Sequence, residues 1–207
     1  MAAGGTRQWT GSDLYRSTVA RATSIAKTLL SESSDLLDLY RKRESFTADV
    51  AEGRLVSVGP AAPQLGAKAT LLRLHSALLQ CHDLLENAIT REEEELGGGK
   101  KGAYETRRKM VRDRLSFLLN VIGELLKAAG GSVATRSEKA PESSGSTGLF
   151  ELKLRLYRTY KEVDYWAKAA ITTLHALPPV ITKERATQSL LVGALGVLER
   201  FRVHLKH

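Results

Sequence analysis

Apolar residues recur at helical spacing in successive stretches of this chain, and polar residues fill the faces between them. From Ser12 and Asp13, both good capping types, Leu14, Val19, Ala22, Ile25, Leu29, Leu36 and Tyr40 mark one face. They predict a first helix over about 13–43. A stripe through Leu72, His75, Leu78, His82, Leu85 and Ile89 predicts a second over about 65–96, and one through Met110, Val111, Leu115, Leu118 and Ile122 a third over about 103–129. The third should stop at Gly130 and Gly131. Leu149, Leu156, Tyr160, Val163, Ala167 and Ala170 predict a fourth over about 149–177, halted by Pro178 and Pro179. A further stripe, Leu190, Leu191, Ala194, Leu195, Leu198 and Phe201, predicts an extra helix over about 183–205. It is expected to fold back on the bundle, with a partner-binding tail as the alternative.

The whole chain, 1–207, therefore reads as one all-α domain. The link 97–102 is short enough only to reverse direction, so the second and third helices are antiparallel neighbours. The links 44–64 and 130–148 are long, and at up to about 3.3 Å per residue either could span about 60 Å, more than the first helix's length of about 45 Å. Long, short, long is the connection pattern of up-up-down-down bundles, and an ordinary helical bundle with inserted loops shares it. In the first arrangement Leu29, Leu78, Leu118 and Val163 belong to one core.

Leucine and alanine dominate while aromatics and prolines are few, which favours helices. Lysine and arginine exceed the acids by eight. Arg107, Arg108, Lys109, Arg112 and Arg114 crowd into one segment, read as a solvated basic face. "REEEEL" at 91–96 reads as a solvated, frayed helix end. No zinc-finger, RNA-recognition or zipper signature is present, so nucleic acid is not an expected partner.

Cys81 is the one cysteine, which leaves no internal disulfide. His75, Cys81 and His82 lie close on one helix, with only Glu86 at helical spacing as a further ligand, so they read as core residues satisfied by hydrogen bonds. "GGGK" at 97–100 lacks the strand and the closing residues of a phosphate loop. No catalytic residue, cofactor or metal is expected, and the chain is not read as an enzyme. The opening residues show no leader pattern, and no apolar run approaches the roughly twenty residues of a membrane span. The expected location is cytoplasmic.

On a helical wheel Phe150 lies about 120° from the centre of the fourth stripe, with Lys153 beside it at i+3. Leu154 and Tyr157 extend that flank. An aromatic ring beside an ammonium is a binding anchor if exposed, the ammonium lying by the ring and facing solvent. The same residues form a second core if the long first link, or the extra C-terminal helix, covers them.

"GLFELKLRLYRTYKEVDYWAKAAITTLHAL" resembles the fourth helix of the ciliary-neurotrophic-factor branch of the interleukin-6-family long-chain helical cytokines, including the Gly-Leu-Phe-Glu-x-Lys start and a tryptophan at Trp166. "STVARATSIAKTLLSESSDLLDLYRKR" is similar to its first helix, and "ADVAEGRLVSV" to its first crossover. The resemblance covers about residues 13–177. It implies an up-up-down-down four-helix cytokine bundle, a neurotrophic factor that signals by assembling receptor chains; the additional C-terminal helical segment, read from its stripe, has no counterpart in that resemblance. It also implies that Phe150 and Lys153 contact the leukaemia inhibitory factor receptor, that exposed faces of the first and third helices meet the shared signal-transducing receptor, and that release from the cytosol is non-classical. Ala169 and Thr173 stand where that family carries an arginine and an acidic residue for an alpha receptor, which leaves the alpha receptor open. The alternative is an intracellular helical scaffold binding an acidic protein or anionic membrane through the basic third helix.

Overall fold

The computed structural model of the protein describes residues 11–46, 53–59, 65–96, 102–133 and 148–179. These form four α-helices, α1 (Gly11–Glu44), α2 (Ala67–Leu96), α3 (Ala103–Ala128) and α4 (Leu149–His175), and no strand. Each end falls within two residues of its expected place. The helix expected over 183–205 lies outside the described residues. Among the described residues no helix is long and apolar enough to cross a membrane.

Helix ends follow from local backbone chemistry. Past α3, Gly130 takes φ 74°, and the amides of Gly130 and Gly131 donate back to the carbonyls of Lys127 and Leu126, both at 2.9 Å. Glycine suits this left-handed position because it has no Cβ to clash. A Cβ on Gly131 would in turn meet the Leu126 side chain, so the pair of glycines serves both the turn and a close approach. α1 ends on the same pattern with Ser45 at φ 54°, and Phe46 N–H donates to Arg41 O at 3.2 Å. That turn sends Phe46 back over the end of its own helix.

α1 packs against α3 and α4, and α2 against the same two, while α1 and α2 share no packed face. The cross-helix pairs run in falling order. Along α1, Arg21 pairs with Glu124, Glu32 with Arg114 at 3.0 Å and Asp35 with Arg107 at 3.3 Å. Against α4, Ser34 donates to Asp164 at 2.7 Å and Tyr40 to the Lys153 carbonyl at 3.0 Å. Against α3, His82 of α2 bonds Ser116 at 2.8 Å and Glu92 pairs with Arg108. Leu29, Leu78, Leu118 and Val163, one from each helix, are buried in a single core cluster. Leu14 and Leu149 are exposed instead, each in the first turn of its helix, because periodicity assigns a face and not a neighbour to cover it.

Two charged runs differ from expectation. Glu92, in the supposedly solvated acidic run, is only 4% exposed. It accepts from Arg43 at 3.0 Å, from the Tyr104 hydroxyl at 2.8 Å and from Arg108. The Tyr104 and Tyr160 hydroxyls share a 2.6 Å hydrogen bond, which links α4 to the same cluster. Burial, then Tyr160 and Glu92, push the Tyr104 phenol far above its ordinary pKa, so it remains a donor. The basic run on α3 is likewise not a free solvated face: Arg108 is buried, and Arg107, Arg112 and Arg114 pair with Asp35, Asp113 and Glu32.

Of the two histidines expected to be hydrogen-bonded in the core, His82 is hydrogen-bonded but only part-buried. His75 departs from that expectation, since its Nδ1 is buried with no partner, and burial lowers its pKa below the ordinary 6.5. The unfolded chain then takes that proton first. Stability is present in full above the unfolded pKa and declines as pH falls below about 6.5. Denaturant titrations at pH 7.5 and 5.5 should show a smaller loss for His75→Leu than for the wild type, and parallel losses would contradict this. Replacing Glu92 tests the buried cluster. Glu92→Ala removes the buried acceptor shared by Arg43, Tyr104 and Arg108 and should cost about 3–5 kcal/mol, whereas Glu94→Ala should stay within about 0.5 kcal/mol. Similar denaturation midpoints for the two variants would refute the cluster's role.

Candidate functional site at the start of the fourth helix

α4 begins immediately after Gly148, whose carbonyl accepts the Leu152 amide at 3.1 Å. Its first turn carries Leu149 and Phe150 outward, and Phe150 is 59% exposed. Leu152, two residues on, enters the core. The wheel position of Phe150 off the main stripe thus corresponds to a solvent-facing aromatic.

Leu154 and Tyr157, expected either to extend an exposed flank or to form a second core under the long first link, are buried. Tyr157 is covered by Phe46, returned by the turn at Ser45, whose tilted ring lies with its centroid 5.5 Å from that of Tyr157 and 6.1 Å from that of Tyr40. Arg41 closes the arrangement, donating to the Tyr157 hydroxyl through Nε at 3.0 Å and Nη2 at 2.8 Å. The start of the first link therefore covers the lower flank and leaves the first turn of α4 uncovered.

Lys153 also departs from expectation. Its ammonium does not lie in solvent beside the Phe150 ring; it pairs with the Glu44 carboxylate at 2.6 Å. The Glu44 side chain is only 7% exposed, so it needs a cation, and Arg43 Nε at 3.4 Å is its second partner. Tyr40 donates to the Lys153 carbonyl, and burial followed by Glu44 hold the Tyr40 phenol far above its ordinary pKa. The end of α1 and the start of α4 are thus bolted together directly beneath Phe150.

What the arrangement offers is recognition: an exposed aromatic on a rigid turn, a half-buried cation and adjacent apolar area from Leu149. No described group of three or more histidine, cysteine or carboxylate side chains is placed to hold a metal. Cys81 is buried, and burial raises its pKa well above the ordinary value, so the thiol is held un-ionised. Phe46, Arg41 and Glu44 were not singled out from sequence. The one signal was the aromatic and charge cluster at the end of the first helix, and its use depends on which turn of α4 lies across from it.

Because Glu44 is buried, Lys153→Ala should loosen the bundle by about 1–2 kcal/mol rather than leave it unchanged. Combining Lys153→Met with Glu44→Gln removes both charges and should recover most of that loss. Thermal melts of the single and double variants check this, and an additive double loss would argue against the ion pair.

Compared with known proteins, the chain matches no family model and no curated protein.

Proposed function

We propose that the protein is a long-chain helical cytokine of the interleukin-6 type, an up-up-down-down bundle that gathers the leukaemia inhibitory factor receptor and the shared signal-transducing receptor. The topology is supported by the falling order of the cross-helix pairs on both α1 and α2, together with two long links around one short one. The receptor reading rests on sequence resemblance and on one structural observation. Phe150 stands exposed at the start of α4, in the Phe-x-x-Lys motif, while Leu154 and Tyr157 behind it are buried.

In this reading Phe150 is the anchor that enters a pocket of the leukaemia inhibitory factor receptor. Lys153 supplies a cation whose position is set by Glu44, so the receptor meets an oriented charge at little further entropy cost. The outer faces of α1 and α3 remain for the shared receptor. The scaffold alternative is disfavoured by the internal ion pairs of Arg107, Arg108, Arg112 and Arg114, which leave the third helix far less basic outwardly than its composition.

The protein should trigger rapid phosphorylation of the downstream transcription factor in cells bearing both receptors, and none in cells lacking the shared one. Phe150→Ala should keep stability within about 0.5 kcal/mol while costing at least about 2 kcal/mol, roughly 30-fold, in affinity for the leukaemia inhibitory factor receptor. Affinity for the shared receptor should hold. A stable Phe150→Ala protein that binds and signals normally would overturn the proposal.

A further inference from the structure

A cavity of about 500 Å³ lies between the start of α2 and the end of α4. That is within the range of small-molecule sites. Its walls are largely apolar, from Leu65, Leu74, Ala169, Leu177 and Pro178. One rim is Gly59, at the end of the segment 53–59, which is tied down along its length. Arg54 donates to Glu162 at 2.8 Å and stacks over Tyr165 at 3.6 Å, Ser57 N–H donates to Gln80 at 3.1 Å, and Gly59 O accepts from Arg73 at 3.1 Å.

Charge in this cavity is one-sided. Among the described lining residues the charged side chains are Arg73 and Lys168, and no carboxylate is present. Lys168 is matched by Asp164 at 2.9 Å. Arg73, half-buried, makes no ion pair among the described residues, and its Nε is a buried donor with no acceptor. Trp166, 4% exposed and lining the same cavity, has its indole Nε1 buried without an acceptor as well. Such donors are normally satisfied in a folded protein, so two around one cavity, one from α2 and one from α4, call for an acceptor that the described residues do not provide.

From these observations we propose that the cavity binds an apolar monocarboxylate, a fatty-acid-like ligand whose carboxylate pairs with Arg73 and whose hydrocarbon tail lies along Leu74, Ala169 and Leu177. The cation selects the anionic head, the absence of a carboxylate among the described lining residues removes repulsion, and the apolar walls take the tail. Ala169 leaves the space: a larger side chain there would project into the cavity. The site is separate from Phe150 and stands or falls independently of the receptor reading.

The probe is decanoate below its micellar concentration, titrated calorimetrically into the full chain, with 1-decanol as the uncharged control. Saturable binding near one per chain is expected, with a rise in melting temperature. In a Trp9→Phe protein, where Trp166 is the remaining tryptophan, the emission should shift on binding. Arg73→Gln should weaken decanoate by about tenfold or more and leave decanol unchanged, as expected for a charge-assisted contact. Ala169→Phe should block both ligands; if that variant does not fold, Arg73→Gln and the decanol control still decide. Unsaturable or absent binding, decanol binding as tight as decanoate, or full decanoate affinity in Arg73→Gln would each overturn the proposal.

Discussion

One buried carboxylate constrains the rest of this bundle. Glu92 of α2 has been taken out of water, and a charge so placed must be met by donors from its surroundings. Arg43 reaches it from α1, Tyr104 and Arg108 from α3, and Tyr104 passes the hydrogen-bond chain to Tyr160 on α4. Leucine against leucine tolerates small slides and rotations at little cost. A hydrogen-bonded ion cluster does not, because a shift of about an ångström leaves a donor or the carboxylate unmatched. The cluster therefore fixes how the four helices rotate and stagger at the end of the bundle where α4 begins.

That constraint sets the character of the exposed patch. Tyr40 touches both Tyr160 and Tyr104 and also holds the Lys153 carbonyl, so the polar cluster runs directly into the support beneath Phe150. Glu44 and Lys153 complete the connection. An anchor on such a base loses little freedom on binding, which is the condition under which one aromatic side chain carries much of an interface's affinity. The cavity between α2 and α4 is built differently. There the walls are largely apolar and two donors, Arg73 Nε and Trp166 Nε1, find no acceptor among the described residues, so the same fold has a matched polar cluster at one place and unmatched donors at another.

Helix positions were legible because the apolar stripes are long and the breakers clear. Gly130 and Gly131 end α3 by a rule that can be read from the residues alone, while Ser45 performs the same turn at the end of α1 without advertising it. The exposure of Phe150 followed from its angle on the wheel. Glu92 and Arg108 were misread as solvated, yet both occupy stripe positions: Glu92 follows Leu85 and Ile89 at i+7 and i+3, and Arg108 stands between Tyr104 and Val111. Two opposite charges on core stripes across a short turn are the signature of a buried pair, and composition hides it. For Tyr157 the residues left two readings open, exposed flank or a second core under the first link, and Phe46 of that link settles it for the second. The partner of Lys153 lay beyond sequence reasoning, because Glu44 comes from a distant element whose facing turn is decided by the packed bundle.

The central claim, that the first turn of α4 is an uncovered recognition surface on a rigid base, is tested most directly by amide hydrogen exchange with and without the leukaemia inhibitory factor receptor ectodomain. The first amides of a helix lack intrahelical acceptors, so those at 149–151 should exchange quickly in the free protein and report any covering partner. The account predicts strong receptor-dependent protection over 148–153, with the outer face of α3 unchanged. A receptor complex that forms while 148–153 continue to exchange at the free rate would contradict it.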